Sequence, residues 1–225
     1  MKWAFAIQRK IRLAIALAIM MLLIILLSLW ESYNVNKISK SFRSIYEDRL
    51  IPAVDLYLIS GHIQNKRNKL VSFLFTDKIS VEEIKNVLSL ENKQLDTLIN
   101  KYEKTYLVKA ETNHLQNLKK NLKIFERDEL LLINASLDNK EFAKNLYLNT
   151  TINFYENIDQ DLILLTQVQT QIGKELLAES SKSQSSSSLI SQLQIVVAII
   201  LGLIIMILII TDKQVILKQE KYTLN

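Results

Sequence analysis

The sequence has no cysteine, one proline and three glycines in 225 residues. Without cysteine there are no disulfides, no cysteine zinc sites and no thiol catalysis. Turn-rich β-proteins consume glycine and proline, so their scarcity argues for long helices with short connections. Gly61, Gly173 and Gly202 are scattered, which leaves no phosphate-cradling loop and no G-x-S-x-G elbow. His62 and His114 are lone histidines, best read as surface or interface residues. The net charge of +5 is spread along the chain, with no basic stripe bearing aromatics, so no nucleic-acid partner is expected. Nor is any catalytic residue, metal site or cofactor.

What is present begins with two apolar runs. Residues 193–210 carry one polar side chain, Gln194, at the edge. A helix of that length rises about 27 Å at ~1.5 Å per residue, close to the hydrocarbon core of a bilayer. Residues 13–30 form the second run, apolar except for Ser28 and closed by Trp30. It is longer than a signal-peptide core and lacks a small-residue cleavage pattern, so an uncleaved transmembrane helix is expected. Lys2, Arg9, Lys10 and Arg12 precede it within residues 1–12. By the positive-inside rule they place the N-terminus in the cytoplasm. Two spans return the tail, 211–225, to the same side, and leave 31–192 outside as one domain.

That domain reads as four amphipathic helices. In the first, a 4,3 seam runs Ile38, Phe42, Ile45, Arg49, Pro52, Leu56, Ile59, Ile63, Lys66, Leu70, Phe73. The sustained period predicts bundle or coiled-coil packing. Pro52 predicts a kink within one helix, because the seam resumes in phase beyond it. Ser80 to Glu83 is a capping-box pattern that starts the second helix, with Val81, Ile84, Leu88, Leu95, Leu98 and Tyr102 on one face. A turn over 105–109 leads to the third, carrying Leu115, Leu118, Leu122, Phe125 and Leu132. Glu126 to Glu129 reads as a solvated face. Asp138 is the expected cap of the fourth helix, whose face is Leu148, Ile152, Tyr155, Leu162, Leu165, Ile172 and Leu176. Asp159 and Gln169 also fall on that seam, and buried polar groups need partners, so Arg49 or Lys66 across the bundle are candidates. Ser180 to Ser188 reads equally as a flexible spacer or as a small-residue helix. The expected fold is all-α: an antiparallel up-down-up-down four-helix bundle flanked by two transmembrane helices.

At this point the layout resembles a known family. Span, four-helix bundle and span together are similar to the sensor module of bacterial methyl-accepting chemotaxis receptors. The stretch Ile45-Tyr46-Glu47-Asp48-Arg49-Leu50-Ile51-Pro52 is similar to the aromatic-acid-basic-apolar-proline run in that module's first helix. Tyr155-Glu156-Asn157-Ile158 through Gln167 and Gln169 resembles its fourth. The resemblance implies a bacterial inner-membrane protein forming a homodimer with first helices paired. Ile38, Ile45, Leu56, Ile59, Ile63 and Leu70 would then lie on the helix-1 dimer seam. A small molecule or a periplasmic binding protein would act as ligand. Amino-acid-sensing members use three arginines, the second and third five and nine residues after the first. Matched on Arg67, the others fall on Ser72 and Thr76, so Arg67 alone is carried over as a ligand-binding residue. Full receptors continue into a HAMP domain and a cytoplasmic hairpin, which 15 tail residues cannot supply. The expectation is a receptor-like sensor acting through a membrane partner, including a heterodimer with a full-length receptor. The alternatives are a non-sensing scaffold and a truncated receptor.

Overall fold

The computed structural model describes the backbone of residues 2–76 and 78–220, and side chains over 14–76 and 78–208. The orienting basic side chains Lys2, Arg9, Lys10, Arg12, Lys213, Lys218 and Lys221 therefore lie outside the described residues, as does Asp77 in the first loop. Among the described residues there is no strand. Six α-helices follow one another: α1 (Lys2–Ser44), α2 (Ile51–Phe75), α3 (Val81–Glu103), α4 (Lys109–Asp138), α5 (Lys140–Leu146) and α6 (Ile152–Glu220). Two π-helical turns, Ile45–Leu50 and Tyr147–Thr151, join α1 to α2 and α5 to α6.

The chain divides into two compact units. One is the bundle, Phe42–Leu177. In it α2 packs on α3, α3 on α4, α4 on α5, and α5 back on α2, which closes the four-helix ring. Its core is Leu56, Ile59, Ile63, Leu70, Phe73, Ile84, Leu88, Leu95, Leu118, Phe125, Leu132, Tyr155, Leu162 and Leu165 with their neighbours. These are seam residues of all four predicted helices, so helical period and burial agree.

The path through Pro52 is helical, as expected, but it is a π-turn that accommodates the proline. The Ile51 N–H bonds to the Tyr46 carbonyl, five residues back. A proline ring collides with the carbonyl four residues earlier, here Asp48, and the wider turn relieves that collision. The inserted residue also rotates the helix face. Downstream the seam is buried from Arg49 to Phe73, whereas Phe42 upstream is exposed. The second π-turn acts alike: Tyr147 and Thr151 are buried and Leu148, expected in the core, is exposed.

Helix starts follow local chemistry. The Ser80 hydroxyl accepts from the Glu83 N–H at 3.1 Å, as predicted. The fourth helix begins one residue later than expected. Asp138 ends α4, and Asn139 Oδ1 accepts from the Phe142 N–H at 3.0 Å. Asn139 is held extended, at φ −152° and ψ 104°, and so makes the break.

The other unit is Met1–Ser41 with Ala178–Asn225. Residues 31–41 and 178–192 of the expected outer domain group here. Ser180 to Ser188 is helical, which decides between the two readings of that stretch. Asn34, Ser41, Ser180, Ser183 and Ile190 are buried in this unit, where small side chains permit close helix approach. Lys37 pairs with Glu179 at 2.7 Å. The helical stretches Ala14–Phe75 and Lys140–Leu208 are long and apolar enough to contain a membrane span, by length and composition.

An added Cβ at Gly173 would meet nothing within 4 Å. Gly173→Ala therefore gains helix propensity without a clash, and is expected to stabilise the bundle by about 1 kcal/mol. A chemical denaturation midpoint checks this, and a lowered midpoint would reveal an unseen neighbour at that face.

Candidate functional site

The bundle interior holds two layers of buried charge. The first centres on Arg49, brought inward by the first π-turn and only 4% exposed. Its Nη1 donates to Glu111 Oε2 at 2.8 Å and to Gln169 Oε1 at 3.3 Å. Its Nη2 donates to the Tyr106 carbonyl at 3.0 Å. Gln169 Nε2 donates to Glu111 Oε1 at 2.6 Å and to the Tyr102 hydroxyl at 2.8 Å. That hydroxyl donates to Glu111 Oε1 at 3.2 Å, and the Val108 N–H to Glu111 Oε2 at 2.9 Å. The layer thus joins the π-turn, α3, the turn over 104–108, α4 and α6. Burial raises the Tyr102 phenol above its ordinary value, so it stays a neutral donor.

The second layer centres on Lys66 and Glu129, each 1% exposed, at 2.9 Å. The Lys66 ammonium donates to Asn92 Oδ1 and lies 4.8 Å from the Phe125 ring centroid. Glu129 is less well provided. Oε2 faces Lys66 off the hydrogen-bonding direction, and Oε1 has no partner. Burial pushes this carboxyl up to about 7, against the opposing pull of Lys66. Beside it Asp128, also raised by burial, accepts from Thr151 Oγ1 at 2.6 Å. On the other side His62 Nδ1 lies 2.5 Å from Glu91 Oε2, and Asn65 donates to Glu91 Oε1 at 2.6 Å.

A groove between α3 and α4 opens onto this layer. Its larger part is a cavity of about 450 Å³ lined by Leu88, Asn92, Asp96, Glu126, Glu129 and Ile133, among others. A smaller cavity of about 70 Å³ adjoins it, sharing Asn92, Asp96 and Glu126 and reaching Lys66.

The sequence-predicted residues are distributed as follows. Gln169 does meet Arg49. Asp159 is half-buried near Arg67, and burial raises its carboxyl. The Arg67 guanidinium carbon sits 5.3 Å from the Tyr155 ring centroid, so this side chain is partly occupied by α6 of its own chain. No second arginine accompanies it at Ser72 or Thr76. Of the expected dimer seam, Leu56, Ile59, Ile63 and Leu70 are buried in the chain's own core, and only Ile38 and Ile45 are half-exposed. The four buried residues have no surface left for a partner, because the same face is needed to close the bundle. The apolar face of the first helix left outside is Phe42, Tyr46, Leu50, Val54 and Tyr57. The solvated face expected at Glu126 to Glu129 holds for Glu126 and Arg127 only. Asp128 and Glu129 are buried. His62 also has the carboxylate partner that its sequence neighbours did not suggest.

The missed charges had a readable signal. Glu129 continues the seam Leu118, Leu122, Phe125 to Leu132, and Glu91 continues Ile84, Leu88 to Leu95. Glu111 stands one seam step before Leu115. A charge on a core seam position marks a buried partner across the bundle.

Arg49→Met leaves Glu111 buried without its cation, and is expected to cost about 3–5 kcal/mol of bundle stability. The double variant Arg49→Met/Glu111→Leu should recover only part of that loss in chemical denaturation, because removing the unpaired carboxylate also leaves Gln169 Nε2, the Tyr102 hydroxyl and the Val108 N–H without it as acceptor. Glu129 gives a pH signature. Its folded value lies above the ordinary 4.5, so the group favours the folded state at acid pH, and that contribution is lost as pH rises through about 7. Melting temperature against pH should show a shallower fall across this window in Glu129→Gln than in the parent.

Comparison with curated proteins returns no match. Comparison with protein families does: residues 6–184 match the family described as the four helix bundle sensory module for signal transduction. The matched span takes in the α2–α5 ring, both polar layers and most of the serine stretch. That family is a sensory module of chemotaxis receptors and not an enzyme class. The chain belongs to this family of four-helix-bundle sensory modules.

Proposed function

We propose that this protein is a membrane-anchored sensor whose bundle detects a stimulus outside the cytoplasmic membrane and whose α6 carries the response inward. The observation that carries the reading is the match over residues 6–184 to a sensory module, on a chain whose described residues include two helices apolar enough to cross a bilayer. Both termini are cytoplasmic in this reading, and 31–192 is extracytoplasmic. Helix α6 runs without a break from Ile152 to Glu220, so a shift at its bundle end needs no joint to reach its other end. A stimulus must bind two positions of that helix unequally to move it.

Pairing of two copies uses the exposed stripe Phe42, Tyr46, Leu50, Val54 and Tyr57. Five large apolar side chains on one helix face are a surface that a second first helix would cover. The same stripe serves a heterodimer with a full-length receptor, the membrane partner that would read the shift.

The cysteine-free sequence makes single-thiol experiments clean. Asn86→Cys, on the exposed face of α3, should react with a membrane-impermeant maleimide in spheroplasts. Lys218→Cys should react only after permeabilisation. The opposite pattern would invert the topology. Under mild oxidation Tyr57→Cys should give a covalent dimer and Leu56→Cys should not. Dimer formation through Leu56→Cys alone would restore the buried seam as the interface.

A further inference from the structure

We propose that the groove between α3 and α4 is a ligand site built within a single chain, and that it takes a small organic cation bearing a primary ammonium group. The ammonium would donate to Glu129 Oε1 at the floor. The stem of the ligand would lie on Leu88, Leu130 and Ile133.

The hydrogen-bond accounting of the floor leads to this choice. Lys66 is provided for: it donates to Asn92 and faces Phe125 and Glu129 Oε2. Glu129 lines the larger cavity, and neither of its buried carboxylate oxygens has a hydrogen-bond partner, Oε2 having only the ion-pair approach of Lys66. Buried polar groups are ordinarily satisfied, and an orphaned one calls for an explanation. A carboxylate oxygen accepts and does not donate, so what completes it must be a donor. An ammonium supplies three donors and a compensating charge, and Glu129 would then lie between two cations, Lys66 and the ligand. An anionic ligand would instead leave Oε1 unmet.

The walls fit the same ligand. Leu88 and Ile133 are buried and Leu130 is exposed at the edge, enough apolar surface for a short alkyl stem. At the mouth the exposed Asp96 and Glu126 are matched by the exposed Lys85 and Lys93, and Lys119 and Lys123 line the adjoining cavity, so selection for a cation falls to Glu129 at the floor. A packing role alone does not account for the floor, because a buried ion pair is seldom more stable than an apolar replacement of its size.

Binding should depend on pH. The charged groups around Glu129 are Lys66 from α2, Glu126 and Asp128 from α4, Lys85, Lys93 and Asp96 from α3, and the Tyr155 phenol from α6. Among them burial dominates, and holds the carboxyl at about 7. The site carries its anion above that pH and loses it below.

The proposal names a stimulus for the sensory reading and so rests on it, but binding is measured without topology or signalling. The test is calorimetry on the full chain in lipid nanodiscs with n-butylammonium chloride, and n-butanol as the uncharged control. We expect one site per chain, binding about tenfold tighter near pH 8.5 than near pH 6 from the change in ionised Glu129, and none with n-butanol. Glu129→Gln should abolish it. Leu130→Trp, which fills the groove from its exposed edge and leaves the buried pair intact, should abolish it too, and keeps the test open if Glu129→Gln does not fold. Absence of butylammonium binding to the parent chain at either pH would overturn the proposal and leave water as the occupant. Binding unchanged in both variants would overturn it as well. In either case the thiol-labelling and dimer-crosslinking results would still stand or fall alone.

Discussion

A charge removed from water must find its complement, and in this bundle that requirement sets the register of three helices and the turn between the second and third. Arg49 has Glu111, Gln169 and the Tyr106 carbonyl within reach only if the first, third and fourth helices and the 104–108 turn align at one level. Leucine against leucine tolerates a slip of a turn with modest loss. A guanidinium paired with a buried carboxylate does not, because a slip leaves both charges buried and alone. The apolar seams supply the cohesion, and the Arg49 layer selects one alignment among those the seams would allow.

The two charged layers differ in how complete they are. Both carboxylate oxygens of Glu111 accept hydrogen bonds from named donors, and in that layer the unmet group is the Arg49 Nε–H. Glu129 has one oxygen near a lysine and one oxygen with nothing, next to a groove. Satisfied networks rigidify, and half-satisfied ones are sites of exchange, with water, a proton or a ligand.

Much of this was legible from the amino acids, for reasons that can be named. The core faces follow the 4,3 spacing of Leu56, Ile59, Ile63 and of Leu118, Phe125, Leu132. Ser80 announced its cap through Glu83. Gln169 on a seam pointed correctly to Arg49. The π-turns were not legible, because one inserted residue changes the hydrogen-bond span from four to five without altering composition. Phe42 and Leu148 were misplaced for that reason alone. The buried Glu129 was obscured by its neighbours: in Glu126-Arg127-Asp128-Glu129 the two exposed charges made the whole run look solvated. Of the seam that the resemblance assigns to a dimer, Leu56, Ile59, Ile63 and Leu70 are buried in the chain's own core. One helix face can be buried only once.

The serine stretch of α6 has a mechanical consequence. Helices that interlock through leucine knobs meet a corrugated surface, and relative motion along the axis then proceeds in steps with a barrier at each. A face built from Ser180, Ser183 and their neighbours has little relief. Its side chains end one atom beyond Cβ, and their hydroxyls can return to the helix's own carbonyls, as Ser185 does to Ser181 at 3.0 Å. The profile against which the opposing stem would move is nearly smooth. Such a contact transmits small displacements in proportion, as a bearing does, where a toothed contact would hold position until forced to jump.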